Sequence, residues 1–175
     1  MARLGRERRA RWLLGRPGLT DLLLRGNAAQ ALPDGALSEA DVFSAVWSGL
    51  VRQSEMTFGD GSTPDARERA LLLLARELLL GHDGIRGAQP NALPSLRSDG
   101  LLLAAGPTSA WNPGDQFASD LVRDFCIARL LIVDGMEQLL AAGAPRWALR
   151  AARLACQAAI AQAGVDSERG RITLQ

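Results

Sequence analysis

The amino-acid sequence predicts an all-α protein of about six helices, packed as one compact, bundle-like domain. Apolar residues recur at helical spacing along most of the 175 residues. Glycine and proline, which interrupt helices, separate these periodic segments. Apolar residues make up 47% of the chain and charged residues 22%, which is typical of a globular protein that buries a core.

Six helices follow from this spacing, at about 3–14, 21–31, 39–55, 65–80, 117–142 and 145–163. Residues that cap or terminate helices support the bounds of the first three. The first helix is expected to end before Pro17, because proline disrupts a helix interior. Thr20 and Ser38 are suited to cap the second and third, since their hydroxyl oxygens accept hydrogen bonds from first-turn amides.

The fourth helix has the clearest boundaries. Ser62 or Thr63 can cap it, Pro64 suits its first turn, and Gly81 follows its last apolar residue, where a helix commonly ends. Leucines and alanines four or three residues apart form its apolar stripe. The solvent side of this helix is predicted to carry Arg67, Glu68 and Arg76.

The fifth helix is apolar on almost every side over 125–133, which is typical of a helix buried in the middle of a bundle. Arg129 lies in this stretch, so we expect it inside the core or at its edge. A buried guanidinium needs a carboxylate partner. Asp124, Asp134 or an acid from another helix could pair with it. The sixth helix is expected to begin near Pro145 and to end at Gly164.

A long connection at about 82–116 contains several glycines and prolines and has no helical period. Such a length is unusual for a plain loop, so this connection is expected to have a function, to be partly disordered or to hold a small β-hairpin. Asp99-Gly100 stands between two apolar runs, which favours a hairpin turn at that point. The predicted organisation is a basic N-terminal helix or arm (1–16), a single helical domain (17–168) and a tail (169–175), strand or disordered.

Charge is spread unevenly along the chain. Residues 1–25 carry seven arginines against Glu7 and Asp21, a net charge of +5, and the other 150 residues carry a net charge of −4. A basic arm on a mildly acidic body favours an anionic partner. A solvated first helix is the simpler alternative.

The composition excludes several kinds of catalytic site. The chain has no lysine and no tyrosine, so it has no Schiff-base lysine and no P-loop lysine. Its single histidine, His82, cannot form a two-histidine metal site. We therefore expect a non-enzymatic protein without a cofactor, although the composition does not identify a reaction or exclude every one.

The two cysteines and the apolar runs bear on location. Cys126 and Cys156 lie in apolar surroundings and are not part of a CxxC pair, so each is expected to be a buried, reduced thiol. No apolar run approaches the ~20 residues that span a bilayer. These observations predict a cytoplasmic protein without a membrane span.

The leading hypothesis is an interaction protein, an adaptor or a subunit of a larger assembly, that binds another protein or a second copy of itself. The alternative is a nucleic-acid-binding helical protein, because spaced arginines can contact successive phosphates. The residues predicted to contact a partner are Arg3, Arg6, Arg8, Arg9 and Arg11 in the arm, the stripe Arg146, Arg150 and Arg153, and Trp111 in the long connection.

A third hypothesis is enzymatic. Asp120 and Asp124 are four residues apart, so both carboxylates project from one face of the fifth helix. Two such carboxylates, joined by acids from another helix, can hold Mg²⁺ beside a diphosphate. The sequence supports this magnesium-dependent phosphohydrolase only weakly, because Arg123 lies between the two acids and no second close acidic pair is present.

Overall fold

The computed structural model describes Leu13 and residues 15–25, 28–32, 38–52, 62–81, 88–104 and 114–173, with side chains as far as residue 163. Over these residues the protein is an all-α domain of seven α-helices with one two-stranded sheet, which confirms the predicted fold class. In the same part of the chain, no helix combines the length and apolar character needed to cross a membrane.

The first described helix, α1, spans Pro17–Leu24 and is followed by a 3₁₀ turn, Ala28–Ala31. The sequence predicted one helix at 21–31 capped by Thr20, and this is wrong. Thr20 lies inside α1, where its hydroxyl donates to the carbonyl of Leu13 at 2.8 Å. The helix begins earlier because Pro17, the expected helix breaker, occupies the first helical turn, where no amide donor is required.

Helix α2 spans Glu39–Val46 and continues as a π-helical turn, Trp47–Arg52. Ser38 caps it as predicted: its Oγ accepts from the amide of Asp41, whose carboxylate accepts from the amide of Ser38 in return. The predicted end of this helix near residue 55 lies outside the described residues. The π-helical turn is local backbone geometry that apolar spacing does not reveal.

Helix α3 spans Pro64–Leu80, with Thr63 as its N-cap and Gly81 after its last turn, as predicted. The assignment of its solvent side is wrong for two of three residues. Arg67 is completely buried and Glu68 is 7% exposed. They are buried because neighbouring helices supply their charge partners.

The long connection contains an unpredicted helix, α4, at Ala92–Ser98. Strand β1 (Leu102–Leu103) pairs antiparallel with β2 (Gln116–Phe117), so a small hairpin is present as expected. Its predicted turn is wrong: Asp99-Gly100 ends α4 instead of joining two strands. Gly100 has φ 67°, a left-handed conformation that suits glycine at a helix end.

Two helices, α5 (Asp120–Asp134) and α6 (Glu137–Ala141), replace the single helix predicted at 117–142. Gly135 separates them with φ 97°, a conformation that side-chain-bearing residues rarely adopt. The centre of α5 is buried as predicted. Its Phe125 ring packs 5.0 Å from the ring of Phe43 in α2.

The last helix, α7, spans Leu149–Thr173 after a 3₁₀ turn at Arg146–Ala148. The predicted end at Gly164 is wrong, and the first residues of the expected tail, up to Thr173, are helical. A glycine inside a helix lowers the stability of that helix by only about 1 kcal/mol relative to alanine. Gly164 alone therefore does not end a helix that the surrounding residues favour. Helix α7 packs on α5, which also packs on α3, so α5 lies at the centre.

The guanidinium group of Arg67 joins α3 to two neighbouring segments. It donates to the carbonyls of Val51 and Leu50 in the π-helical turn, each at 2.9 Å. It also donates to the hydroxyl of Ser95 in α4 and, at 2.5 Å, to the carboxylate of Asp99. A buried charge needs such partners, and here they link α3, α4 and the π-helical turn.

Arg129 lies at the edge of the core, one third exposed, in agreement with the sequence-based expectation. Its partner comes from another helix: Nε donates to Oε1 of Glu68 at 3.0 Å. Arg52 donates to the other oxygen of Glu68 and, at 2.6 Å, to Asp65. Two arginines and two carboxylates balance each other in this cluster.

We predict that Arg67→Ala lowers the free energy of unfolding by about 3–5 kcal/mol, because it removes the guanidinium donors that bind the buried carbonyls of Leu50 and Val51 and the carboxylate of Asp99. Arg69→Ala is the matched control, since Arg69 is exposed on the same helix two residues away. Urea denaturation followed by circular dichroism measures both. A loss below about 1 kcal/mol for Arg67→Ala would show that its buried network does not stabilise the fold.

Candidate functional site: an arginine hollow

An open hollow of about 400 Å³ lies where the start of α1 meets the first turns of α5 and α7. We call it the arginine hollow. Its lining residues are Arg16, Pro17, Gly18, Leu19, Leu121, Arg150 and Arg153. Three of these seven residues are arginines, and the leucines and the proline give the hollow apolar surface as well.

The three guanidinium groups converge on the carboxylate of Glu39, the first residue of α2. Arg150 donates to Oε1 at 2.5 Å, Arg16 donates to the same oxygen at 3.1 Å, and Arg153 donates to Oε2 at 2.8 Å. Only 11% of the Glu39 side chain is exposed, compared with 57% of Arg153. The carboxylate is therefore largely covered, and the guanidinium groups are the charges that solvent reaches.

Local structure places each of these groups. The capping box at Ser38 fixes the start of α2 and so the backbone of Glu39. Arg150 and Arg153 are three residues apart on α7, so they project from one side of that helix. The buried residues Ala151 and Leu154 lie next to these arginines along the helix and pack against the core.

Three arginines line the hollow, and they contact the carboxylate of Glu39 and, at 3.6 Å from Arg150, that of Asp124, so the arginines outnumber these two acids by one. Arg153 makes one hydrogen bond to the described residues, so four of its five N–H groups have no protein acceptor there. The first turn of α1 adds the N–H of Gly18, which has no acceptor within the helix. The positive end of the helix dipole favours negative charge at the same place.

The ionisation of Glu39 reflects this environment. Burial alone would raise its pKa, but the hydrogen bond and charge of Arg150, together with the charges of Arg153 and Arg16, outweigh burial and hold the pKa below its usual value. Glu39 is therefore a carboxylate at neutral pH. The arginines that line the hollow thus already bind one carboxylate group.

Ion pairs continue from the arginine hollow along α5. Arg150 also lies 3.6 Å from the buried carboxylate of Asp124. Arg123 bonds Asp124 at 2.9 Å and Asp120 at 2.8 Å. The two carboxylates considered for Mg²⁺ are thus paired with one arginine.

Within the described ranges, no group of three or more aspartate, glutamate, histidine or cysteine side chains is placed to hold a metal ion. The magnesium-dependent activity stays a prediction.

The predicted arginine stripe on the last helix is divided in the structure. Arg150 and Arg153 turn toward Glu39 and line the hollow, whereas Arg146 is exposed and lies outside it. Trp147 is 40% exposed, and the guanidinium of Arg123 lies 5.4 Å from the centre of its ring. The stripe is therefore not displayed as one row of unpaired charges.

Other candidates from the sequence lie outside the described residues. These are Arg3, Arg6, Arg8, Arg9 and Arg11 of the N-terminal arm, together with His82 and Trp111. Their predicted roles in partner binding stay predictions.

Sequence reasoning missed Arg16 and Glu39 as site residues. No motif or spacing in the sequence singles out either residue. Glu39 and Arg150 are 111 residues apart, so no local spacing connects them. The one available signal was the surplus of arginine on the last helix, which requires carboxylate partners elsewhere.

The cysteines differ from each other. Cys126 is buried, and burial raises the pKa of its thiol well above the usual value. Cys156 is exposed, so the expectation of a buried thiol is wrong for it. Helix α7 extends past its packing partners at this point, which leaves Cys156 in solvent.

Compared with known proteins, the chain matches no family model, and no curated protein or solved structure is significantly similar to it. Its function has to be inferred from the chemistry of its own residues.

We predict that Glu39→Gln destabilises the protein by about 1–3 kcal/mol at pH 7, because it removes a charged acceptor from three arginines. The folded pKa of Glu39 is lowered, so its contribution is complete above the unfolded value near 4.5 and is lost as the pH falls through the folded pKa. The difference between the parent and the variant should therefore shrink below about pH 4.5. Urea denaturation from pH 7 to pH 3 measures it.

Glu137→Gln is the control for this comparison, because Glu137 is exposed and has no ion pair to the described residues. Its effect should be small at every pH. A Glu39→Gln difference that stays constant from pH 7 to pH 3 would contradict the proposed charge cluster.

Proposed function

We propose that this chain is a non-enzymatic binding protein whose arginine hollow holds carboxylates of an acidic segment of a partner protein. One observation carries the proposal. Arg16, Arg150 and Arg153 converge on a single covered carboxylate at an open hollow. The guanidinium group of Arg153 is more than half exposed, and four of its five N–H groups have no acceptor among the described residues, so it is accessible to a ligand.

Carboxylate is the chemistry that fits this surface. Guanidinium groups bind carboxylates through directed N–H donors, and Glu39 already uses that geometry. A ligand carboxylate on the open side would meet the remaining donors of Arg153 and the amide of Gly18. Leu19 and Leu121 supply apolar surface that can support the aliphatic stems of a peptide.

A partner protein is favoured over a nucleic acid by the state of the arginines. Arg150 is engaged by Glu39 and lies near Asp124, so the stripe does not present a row of three free charges to successive phosphates. Single-stranded nucleic acids are usually bound with stacking aromatic rings. In the described part of this face the aromatic ring is Trp147, and Arg123 already lies over it. Nucleic-acid binding through the arm and Arg146, Arg150 and Arg153 remains the alternative.

Two further parts of the proposal rest on the sequence. We place the protein in the cytoplasm as a reduced adaptor or assembly subunit. A second copy of the chain is the other possible source of the acidic segment, and sedimentation at two protein concentrations separates self-association from binding to a different protein.

The test uses a fluorescein-labelled dodecapeptide in which glutamate alternates with serine, measured by fluorescence anisotropy. We expect saturable binding that weakens with salt and is absent when glutamine replaces glutamate. Arg153→Gln should weaken binding about tenfold, since one hydrogen bond to a charged group contributes about 1.5 kcal/mol. This variant should fold, because Arg153 is largely exposed.

Arg146→Gln is the matched control, because Arg146 belongs to the same stripe but lies outside the hollow. It should leave binding of the glutamate peptide unchanged. The proposal is wrong if the glutamine peptide binds equally well, or if Arg153→Gln has no effect. Tighter binding of a twelve-nucleotide strand, weakened by both Arg146→Gln and Arg153→Gln, would support the nucleic-acid alternative instead.

A further inference from the structure

A second hollow of about 550 Å³ lies on the other side of the first turn of α5. Leu74 and Leu78 of α3 form one wall, and Phe117 of β2 with Ala118 forms another. Leu78 is 47% exposed, although its helix is otherwise packed against α5. We call this second site the leucine hollow. Its size is in the range that holds a small ligand or a large side chain.

The charges around the leucine hollow are balanced. Asp115 is paired with Arg97 through two hydrogen bonds, at 2.9 and 2.7 Å. Asp120 is paired with Arg123 at 2.8 Å. The rim therefore attracts neither an anion nor a cation strongly, in contrast to the arginine hollow. The chemistry of this site suits an uncharged apolar group.

The two hollows are neighbours across the start of α5. Asp120 lines the leucine hollow, and the next residue, Leu121, lines the arginine hollow. Asp124 is four residues after Asp120 and three after Leu121. Viewed along the helix axis, it therefore projects between these two residues. Asp124 forms ion pairs with Arg123 on the side of the leucine hollow and with Arg150 on the side of the arginine hollow. The two sites therefore adjoin on one part of the surface.

We propose that the acidic segment bound at the arginine hollow also places an apolar side chain, such as leucine or phenylalanine, in the leucine hollow. This inference rests on the proposed function and specifies its ligand as a two-part segment. Consecutive residues of one helix line the two hollows, so the hollows are separated by about the width of a helix, roughly 10–12 Å. An extended peptide advances about 3.3–3.6 Å per residue, so the apolar residue would stand about three to four residues from the carboxylate. The occupant is a partner's peptide, because the surplus charge of the adjoining hollow recruits an acidic chain.

Two labelled peptides test the inference. Both carry alternating glutamate and serine, and one has a leucine four residues beyond the last glutamate, where the other has serine. We expect the leucine peptide to bind the parent protein about tenfold more tightly, from burial of its apolar side chain. Leu78→Gln should remove this difference and leave binding of the serine peptide unchanged. Leu140→Gln is the control, since Leu140 is 73% exposed and outside the hollow.

The outcomes separate this inference from the proposed function. If both peptides bind equally and both depend on Arg153, the inference is overturned while the proposed function stands. If the leucine peptide binds more tightly but Leu78→Gln has no effect, its side chain lies elsewhere and the inference is again overturned. If neither peptide binds, both proposals fail. Loss of the leucine advantage in Leu78→Gln alone supports the two-part ligand.

Discussion

The completely buried charge of Arg67 is the constraint on which the rest of this fold depends. A guanidinium group that is removed from water needs hydrogen-bond acceptors within the protein, because an unpaired buried charge lowers the stability of the fold by several kcal/mol. Here the acceptors are two carbonyls of the π-helical turn, the hydroxyl of Ser95 and the carboxylate of Asp99. Arg67 thereby adds polar links between three segments whose apolar residues also share the core. These links help to fix the position of α4 against α3.

Arginine is the cation of every ion pair in the described residues. The clusters of ion pairs differ in the number of arginines relative to the number of carboxylates. Around Glu68, Arg52 and Arg129 are matched by two carboxylates, and this cluster joins helices. Around Glu39, three arginines meet one carboxylate, and two of them are more than half exposed. Folding alone does not require that surplus, because one arginine would suffice to pair Glu39. The imbalance at an open surface is what distinguishes the arginine hollow as a binding site.

Local signals predicted part of this structure well. The caps of α2 and α3 and the burial of α5 depend on residues close in sequence, so they were visible in the sequence. The break at Gly135 was missed because the apolar period continues through it, and α4 was missed because Pro94 suggested a loop. Arg67 was placed in solvent because apolar periodicity assigns every charged residue to the outside. Most of the arginine hollow could not be predicted, since its lining residues come from three distant segments and Glu39 from a fourth.

The central claim is that Arg16, Arg150 and Arg153 bind a ligand carboxylate together. Nuclear magnetic resonance of the arginine Nε–Hε groups in ¹⁵N-labelled protein, titrated with the alternating glutamate–serine peptide, observes these side chains directly. The account predicts that the signals of Arg16, Arg150 and Arg153 shift with one common dissociation constant, while those of Arg146 and Arg69 do not move. Shifts confined to arginines outside the hollow, or no shift of these three at saturating peptide, would contradict it.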